Sequence, residues 1–155
     1  MSLWFGEVTV EWVNSVGVGT MSDNVGIEVT EIGPDFLRGT MTVTERTIQP
    51  ARILHGGASV VFAETLASCA TAATIDRARY MAVGQEINAN HLRPAPLGTK
   101  LIGTTRPYHV GRRSQVWGIE IVDEQGQMIC ISRITMAVVE RRPAHQRPSE
   151  NGPAS

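Results

Sequence analysis

Residues 57–75 read GASVVFAETLASCATAATI, and this stretch decides the fold. Apolar side chains occupy nearly every side of the helix that this composition predicts, and Glu64 is its one charged residue. A helix that is apolar almost all round is buried on most of its faces. At 1.5 Å per residue it extends about 27 Å. The sequence therefore predicts one long buried helix at the centre of the molecule.

Strands are predicted on both sides of this helix. The upstream region 28–43 reads as two strands joined by the turn Gly33-Pro34-Asp35. Downstream, alternating apolar residues predict a meander of four strands over 81–92, 99–109, 114–122 and 128–139, with a hairpin turn at 123–127. An antiparallel sheet must bury one face, and the single helix is available to cover it. We therefore predict an α+β fold, in which an antiparallel sheet curls around a central helix, rather than a parallel α/β fold.

Composition and length limit the remaining possibilities. The 155 residues predict one domain over 1–140, opened by a segment with an apolar side (1–18), and a polar, disordered tail over 141–155. Because 14 basic residues balance 15 acidic ones, no nucleic-acid or membrane partner is expected. No apolar run reaches the roughly 18 residues of a membrane span. We expect a cytoplasmic protein with no metal site, in which Cys69 and Cys130 are buried reduced thiols.

Glu64 is the first candidate for chemistry. An ionised carboxylate inside an apolar helix is costly unless it is paired or used. The alternative to a catalytic role is a structural Glu64, bonded to a backbone amide or paired with an arginine of a neighbouring strand. Ser68 lies four residues later on the same helical face. Its hydroxyl either holds a water for the carboxylate or bonds the carbonyl of Glu64.

The helix start is the second candidate. His55, Gly56 and Gly57 stand where a loop becomes the helix, and the first helical N–H groups have no partner within the helix. Together with the helix dipole, these donors favour a developing oxyanion. A glycine pair before a helix is often only a turn. Combined with a buried acid two turns later, however, the pattern is typical of acyl-group hydrolysis.

Three segments carry a resemblance to a known family: HGGASVVFAETLASCA (55–70), GQEINANHLRPA (84–95) and GRRSQVWGIEIVDEQGQMICISRITMAVV (111–139). They resemble the hotdog-fold acyl-CoA thioesterases, near the 4-hydroxybenzoyl-CoA (Arthrobacter-type), 1,4-dihydroxy-2-naphthoyl-CoA and PaaI groups. The resemblance covers about residues 41–139. It implies a hotdog fold, hydrolysis of an acyl-CoA with an aromatic acyl group, and no cofactor, since coenzyme A is part of the substrate. It also implies a homo-oligomer, a dimer of hotdogs paired into a tetramer, with active sites at the dimer interface.

The resemblance also implies roles for individual residues. Glu64 matches the catalytic carboxylate, as nucleophile or general base, and Gly56 matches the glycine whose N–H polarises the thioester carbonyl. His55 and Gln49 match residues that orient the thioester and the helix entry, and Ser68 matches a position that assists the attacking water. The remaining candidates, for binding substrate and coenzyme A phosphates, are Gly57, His91, Arg93, His109, Arg112 and Arg113. For the basic residues among them, a solvated surface without a ligand is the alternative.

Two other functions remain open at this point. A hotdog hydratase or dehydratase places its histidine and acid differently, and its motif is absent from the sequence. A non-catalytic acyl-CoA-binding hotdog protein would be expected to lack the buried acid, whereas Glu64 is present. Fold alone does not separate these functions, so the site must.

Overall fold

The computed structural model describes residues 3–141. In chain order the elements are α1 (Val10–Val16), α2 (Met21–Asn24), β1 (Glu28–Ile32), β2 (Leu37–Thr42), α3 (Gly56–Ala73), β3 (Tyr80–His91), β4 (Lys100–Val110), β5 (Ser114–Asp123) and β6 (Met128–Glu140). The predicted central helix and all six predicted strands are present, with ends that differ by a few residues. The predicted tail lies outside the described residues, apart from Arg141.

All six strands form one antiparallel sheet in the order β1-β2-β4-β5-β6-β3. The predicted meander of four strands is therefore wrong for its first member, because β3 pairs with β6 and not with β4. Residues 92–99 connect β3 to β4 and contain Pro94 and Pro96, which a tight hairpin does not accommodate. Asp123, in contrast, closes the predicted β5–β6 turn by accepting from the Gln125 and Gln127 N–H groups.

Helix α3 packs against β2, β3, β4, β5 and β6, so the sheet curls around it as predicted. Two glycines that face each other across β2 and β4, Gly39 and Gly103, make room for it. A Cβ on Gly39 would lie 2.9 Å from Leu66 Cδ2, and one on Gly103 would lie 2.9 Å from Phe62 Cζ. Phe62 and Leu66 are fully buried there. The side of α3 that faces the sheet is thus buried, whereas its other side, which includes Glu64 and Ser68, is only half-buried.

The region before β1 contains two short helices that the sequence analysis did not resolve, α1 within the predicted opening segment 1–18 and α2 after it. The Thr9 hydroxyl caps α1 by accepting from the Trp12 N–H, and Val13 is buried against the core. Asn14 then joins α1 to β1, because its side chain exchanges two hydrogen bonds with the backbone of Val29. Helix α1 is thereby held beside α3, where it becomes a wall of a cavity described below.

Candidate active site

Glu64 lies in the middle of α3 and faces β3. Its side chain is half-buried and contacts Gly84, since a Cβ on that glycine would lie 2.6 Å from Glu64 Oε1. The pairing of β3 with β6 shifts register between Gly84 and Glu86, and such bulges often re-aim side chains beside active sites. Within residues 3–141 the carboxylate has neither a hydrogen bond nor an ion pair. The structural alternatives for Glu64, a backbone amide or an arginine partner, are therefore not found.

The start of α3 leaves one backbone donor free. His55 is the N-cap, and its Nδ1 accepts from the Gly57 N–H at 2.8 Å. The His55 carbonyl accepts from the Ala58 and Ser59 N–H groups. Among the described residues, the Gly56 N–H has no partner. Gly56 is therefore the free donor at the positive end of the helix dipole, and Gly57, predicted to bind substrate, has its N–H occupied by His55.

A cavity of about 340 Å³ lies beside this helix start. It brings together four residues that the sequence analysis singled out, Gln49, Gly56, His91 and Arg93. The His91 ring lies against the α-carbon of Gly56, since a Cβ there would be 2.8 Å from His91 Nε2. A side chain at position 56 would displace the His91 ring, so only a glycine leaves both the imidazole and the backbone N–H accessible from the cavity.

Ser59 lines the same cavity and was missed by the sequence analysis. Its side chain is buried, and its Oγ has no hydrogen-bond partner in the described part of the chain. A buried unpaired hydroxyl is costly unless water or a ligand completes it. The sequence feature that could have identified Ser59 is its position one helical turn after His55. This spacing places its hydroxyl on the same side of α3 as the free Gly56 donor.

Gln49 reaches the cavity from a tight turn before the helix. Its carbonyl accepts from the Arg52 N–H and its N–H donates to the Ile53 carbonyl, at 2.8 and 2.9 Å. Arg52 adopts a φ of 64°, which this turn requires. The Gln49 side-chain oxygen accepts weakly from Ala51, and the NH₂ group makes no hydrogen bond within residues 3–141. An amide donor is thus available to a ligand in the cavity.

Of the two roles that the sequence left open for Ser68, the structure does not show the bond to the Glu64 carbonyl. Its hydroxyl lies 4.0 Å from Met136 Sδ, a weak contact, and does not bond the carbonyl of Glu64. It lines a second cavity together with Cys69 and Ala72, farther along α3. Ser68 is therefore on the Glu64 side of the helix, one turn beyond the carboxylate, and available to a water there.

His109, Arg112 and Arg113 lie apart from the helix start. All three are exposed at the β4–β5 turn. Arg112 shares a cavity with Thr74, which follows α3 directly. The length of the helix, about 27 Å, separates this end from Gly56. The structure therefore divides the predicted phosphate-binding residues into two groups, with His91 and Arg93 at one end of α3 and these three at the other.

The two cysteines are free. Burial raises the pKa of the Cys69 thiol to about 11 and also raises the pKa of Cys130. Thiolate is the nucleophilic form, so neither sulfur is activated for attack. Within the described residues, no cluster of three or more His, Cys, Asp and Glu side chains is suited to hold a metal ion. In that range there is also no helix that is both long and apolar enough to cross a membrane.

Comparison with known proteins decides the family. Residues 51–130, which contain Gly56, Glu64 and His91, match the model of the thioesterase superfamily. The chain belongs to the thioesterase superfamily. It is 44% identical over 137 residues to the 1,4-dihydroxy-2-naphthoyl-CoA hydrolase of Escherichia coli, covering 88% of this chain and 99% of that protein. It is 45% identical over 137 residues to the proofreading thioesterase EntH of Cronobacter turicensis, covering 88% and 98%.

Solved structures of other thioesterases share the fold. A glutamine-to-alanine variant of the thioesterase PA1618 from Pseudomonas aeruginosa superposes on this thioesterase with a TM-score of 0.87 at 38% identity, covering 90% of this chain and 100% of that one. The predicted hotdog fold and the predicted family are confirmed. The chain is a thioester hydrolase.

Proposed function

We propose that this thioesterase hydrolyses acyl-CoA esters with an aromatic acyl group and that Glu64 is its catalytic carboxylate. The observation that carries the proposal is the Glu64 side chain itself, which is half-buried on an apolar helix and has no partner within residues 3–141. A carboxylate that is unpaired within the described residues is free to attack a carbonyl carbon or to accept a proton from water. The names of the two relatives support a thioester substrate, one of them an aromatic acyl-CoA.

The chemistry needs an electrophile and a nucleophile. The Gly56 N–H donates to the thioester carbonyl oxygen and stabilises the negative charge that develops on it. Glu64 either attacks the carbonyl carbon or removes a proton from an attacking water. The carbon–sulfur bond then breaks, and the coenzyme A thiolate leaves and takes up a proton. Where Glu64 attacks directly, a water then hydrolyses the anhydride between Glu64 and the acyl group, which releases the acid and restores the carboxylate. One water is consumed by either route, no electrons are transferred, and the products are a free acid and coenzyme A.

One protomer does not hold both groups at one carbonyl. Gly56 and Glu64 are eight residues apart on α3, which is about 12 Å along the helix axis. Reacting groups must lie within about 3–3.5 Å of the carbonyl. We therefore propose that the carbonyl lies between Gly56 of one protomer and Glu64 of a second. The cavity at Gly56 and the Glu64 side of α3 are then two halves of a composite site.

Strand β3 supplies a surface for that second protomer. Its 12 residues pair with β6 on one edge only, and the sheet of the described residues ends at the other edge. Met81 and Val83 on this strand are about two-fifths exposed. A long, partly apolar free edge is a template for pairing with another chain. Two β3 edges related by a twofold axis would join two sheets and bring the Glu64 side of each protomer to the interface.

A hydrolysis screen tests the proposed function. Wild-type protein is assayed for thiol release from benzoyl-CoA, 4-hydroxybenzoyl-CoA, a short-chain acyl-CoA and a long-chain acyl-CoA. We expect the highest kcat/KM with the aromatic esters. The highest kcat/KM with the long-chain ester would contradict the aromatic preference. Binding of all four esters without thiol release would instead identify an acyl-CoA-binding protein.

The arginines at the two ends of α3 are expected to respond differently to substrate truncation. Arg112 and Arg113 are exposed and distant from the Gly56 cavity, so they are suited to phosphates of coenzyme A. Arg112→Ala or Arg113→Ala should raise KM several-fold with little change in kcat, an effect that shrinks with added salt. The same variants should behave as wild type with a truncated thioester that lacks the nucleotide.

Arg93 is the comparison within this experiment. It lines the cavity that contains Gly56, close to the reacting carbonyl. Arg93→Ala should therefore weaken hydrolysis of the full and the truncated thioester alike. Equal losses on both substrates for Arg112→Ala and Arg113→Ala would contradict their assignment to the phosphates.

A further inference from the structure

A second cavity, of about 480 Å³, lies between α1, α3 and β3 and is called the α1–α3 cavity here. Most of its wall is apolar, formed by Trp12, Val13, Ala72, Ile75 and Ala82. The volume lies within the range of pockets that bind small organic ligands. Neither Gly56 nor any other residue of the helix start reaches it, so it is distinct from the cavity described above.

The α1–α3 cavity lies one helical turn beyond Glu64, which does not itself line it. Ser68 and Ala72 line it, and they follow Glu64 by one and two turns on the same helical face. On β3, Ala82 lies two residues before Gly84, the residue that Glu64 contacts, and so points to the same side of the sheet. From Glu64 to Ala72 the helix covers about 12 Å. An acyl group whose carbonyl meets Glu64 would extend along α3 into the α1–α3 cavity.

Arg77 is the unusual residue of the cavity wall. Its guanidinium carbon stands 3.9 Å from the centroid of the Trp12 ring, in a stacked arrangement. Its side chain makes no hydrogen bond or ion pair with any residue of 3–141, and its Nη1 is buried. Arg141 holds the loop in place, because its Nε donates to the carbonyls of Arg77 and Tyr80. Within residues 3–141, a positioned guanidinium without an acidic partner thus lines an apolar cavity.

The geometry points to a specificity contact: we propose that the α1–α3 cavity holds the acyl group and that Arg77 binds an oxygen substituent on its far end. The chemical class is an aroyl thioester with a carboxylate or hydroxyl oxygen remote from the carbonyl. Guanidinium donates to either oxygen, and the bond to the anion is the stronger. Trp12 holds the planar guanidinium in place by a cation–π contact and lines the space for the ring. This inference rests on the proposed function, because Glu64 sets where the carbonyl lies.

The experiment compares three substrates that differ only at the far end of the ring. Wild-type protein, Arg77→Met and Arg79→Met are assayed with benzoyl-CoA, 4-hydroxybenzoyl-CoA and 4-carboxybenzoyl-CoA. We expect the wild type to prefer the substituted esters over benzoyl-CoA by about tenfold in kcat/KM, as one charge-assisted hydrogen bond supplies. Arg77→Met should bring that ratio close to one. The substituted ester whose kcat/KM falls more in Arg77→Met shows whether Arg77 prefers the carboxylate or the hydroxyl.

Arg79→Met is the matched control. Arg79 lies on the same loop and also stands over an aromatic ring, that of Tyr80, but it lines a different cavity. The Arg79→Met variant should keep the wild-type ratio of kcat/KM for the substituted esters to kcat/KM for benzoyl-CoA. A ratio unchanged in Arg77→Met, or a ratio lost equally in both variants, would overturn the inference.

Direct binding separates this inference from the proposed function. Benzoate and 4-carboxybenzoate are titrated into wild type and Arg77→Met, and their affinities are measured by calorimetry, which needs no turnover. Tighter binding of 4-carboxybenzoate to the wild type alone supports the Arg77 contact even if no ester is hydrolysed. Equal affinities of both acids for both proteins would refute the contact even if the thioesterase activity is high.

Discussion

Replacing Glu64 by alanine is expected to lower kcat on the best aromatic acyl-CoA by about 10³ or more, since it removes the carboxylate that attacks or activates water. The fold should persist, because the Glu64 side chain makes no hydrogen bond or ion pair within residues 3–141 that its loss would break. The measurement is steady-state turnover together with the thermal midpoint. Turnover near the wild-type value would refute the assignment of Glu64.

Two further variants separate the charge of Glu64 from its placement. Glu64→Gln keeps the shape of the side chain and should be nearly as inactive as Glu64→Ala. Gly84→Ala keeps the carboxylate but adds a Cβ that would lie 2.6 Å from Oε1, so the side chain must move. Its kcat should fall between those of the wild type and Glu64→Ala, with KM less affected. A Gly84→Ala protein with wild-type kcat would show that the contact does not position Glu64.

Replacing Gly56 by proline is the second change expected to have a large effect. Proline deletes the free N–H and is tolerated at the first position of a helix. His55, with φ −72° and ψ 133°, already has the extended backbone that a following proline requires. We expect kcat to fall by about 10²–10³, the usual loss of one oxyanion donor.

Gly56→Ala is the matched control for the donor. Both substitutions bring a Cβ to within 2.8 Å of His91 Nε2, so both displace that ring, but alanine retains the N–H. The difference in kcat between the two variants therefore reports the loss of the donor together with the ring carbon that takes the place of its hydrogen. Equal losses would assign the effect to His91 and the crowded cavity instead.

Mixing the two inactive variants tests the composite site. If Gly56 of one protomer works with Glu64 of another, a heterodimer of Gly56→Pro and Glu64→Ala chains has one intact site. Random assembly after co-refolding should then restore about a quarter of the wild-type activity. Light scattering of the wild type should give about 34 kDa or a multiple of it, against 16.8 kDa for one chain. A monomer, or mixtures that stay inactive, would contradict shared sites.

Much of the fold was predictable because its signals are local. The apolar run of α3, the turn at 123–127 and the alternation within each strand depend only on residues near one another in the chain. Glu64 was found in the same way, as a lone charge in an apolar helix. That Glu64 has no partner within residues 3–141 is a tertiary fact, because any strand packed on α3 could have supplied an arginine.

The remaining features depend on contacts between distant segments. Alternation shows that a strand has a buried face but not which strand lies beside it, so the place of β3 next to β6 emerged only from the structure. The contacts of Gly84 with Glu64 and of Gly56 with His91 also emerged only from the structure. Each glycine matters because a side chain from a distant segment packs against it. The cation–π contact between Arg77 and Trp12 likewise joins residues that are 65 positions apart in the chain. By itself the sequence determined the central helix, the six strands and the acid; the tertiary structure alone decided what surrounds them, because packing is set by the whole chain at once.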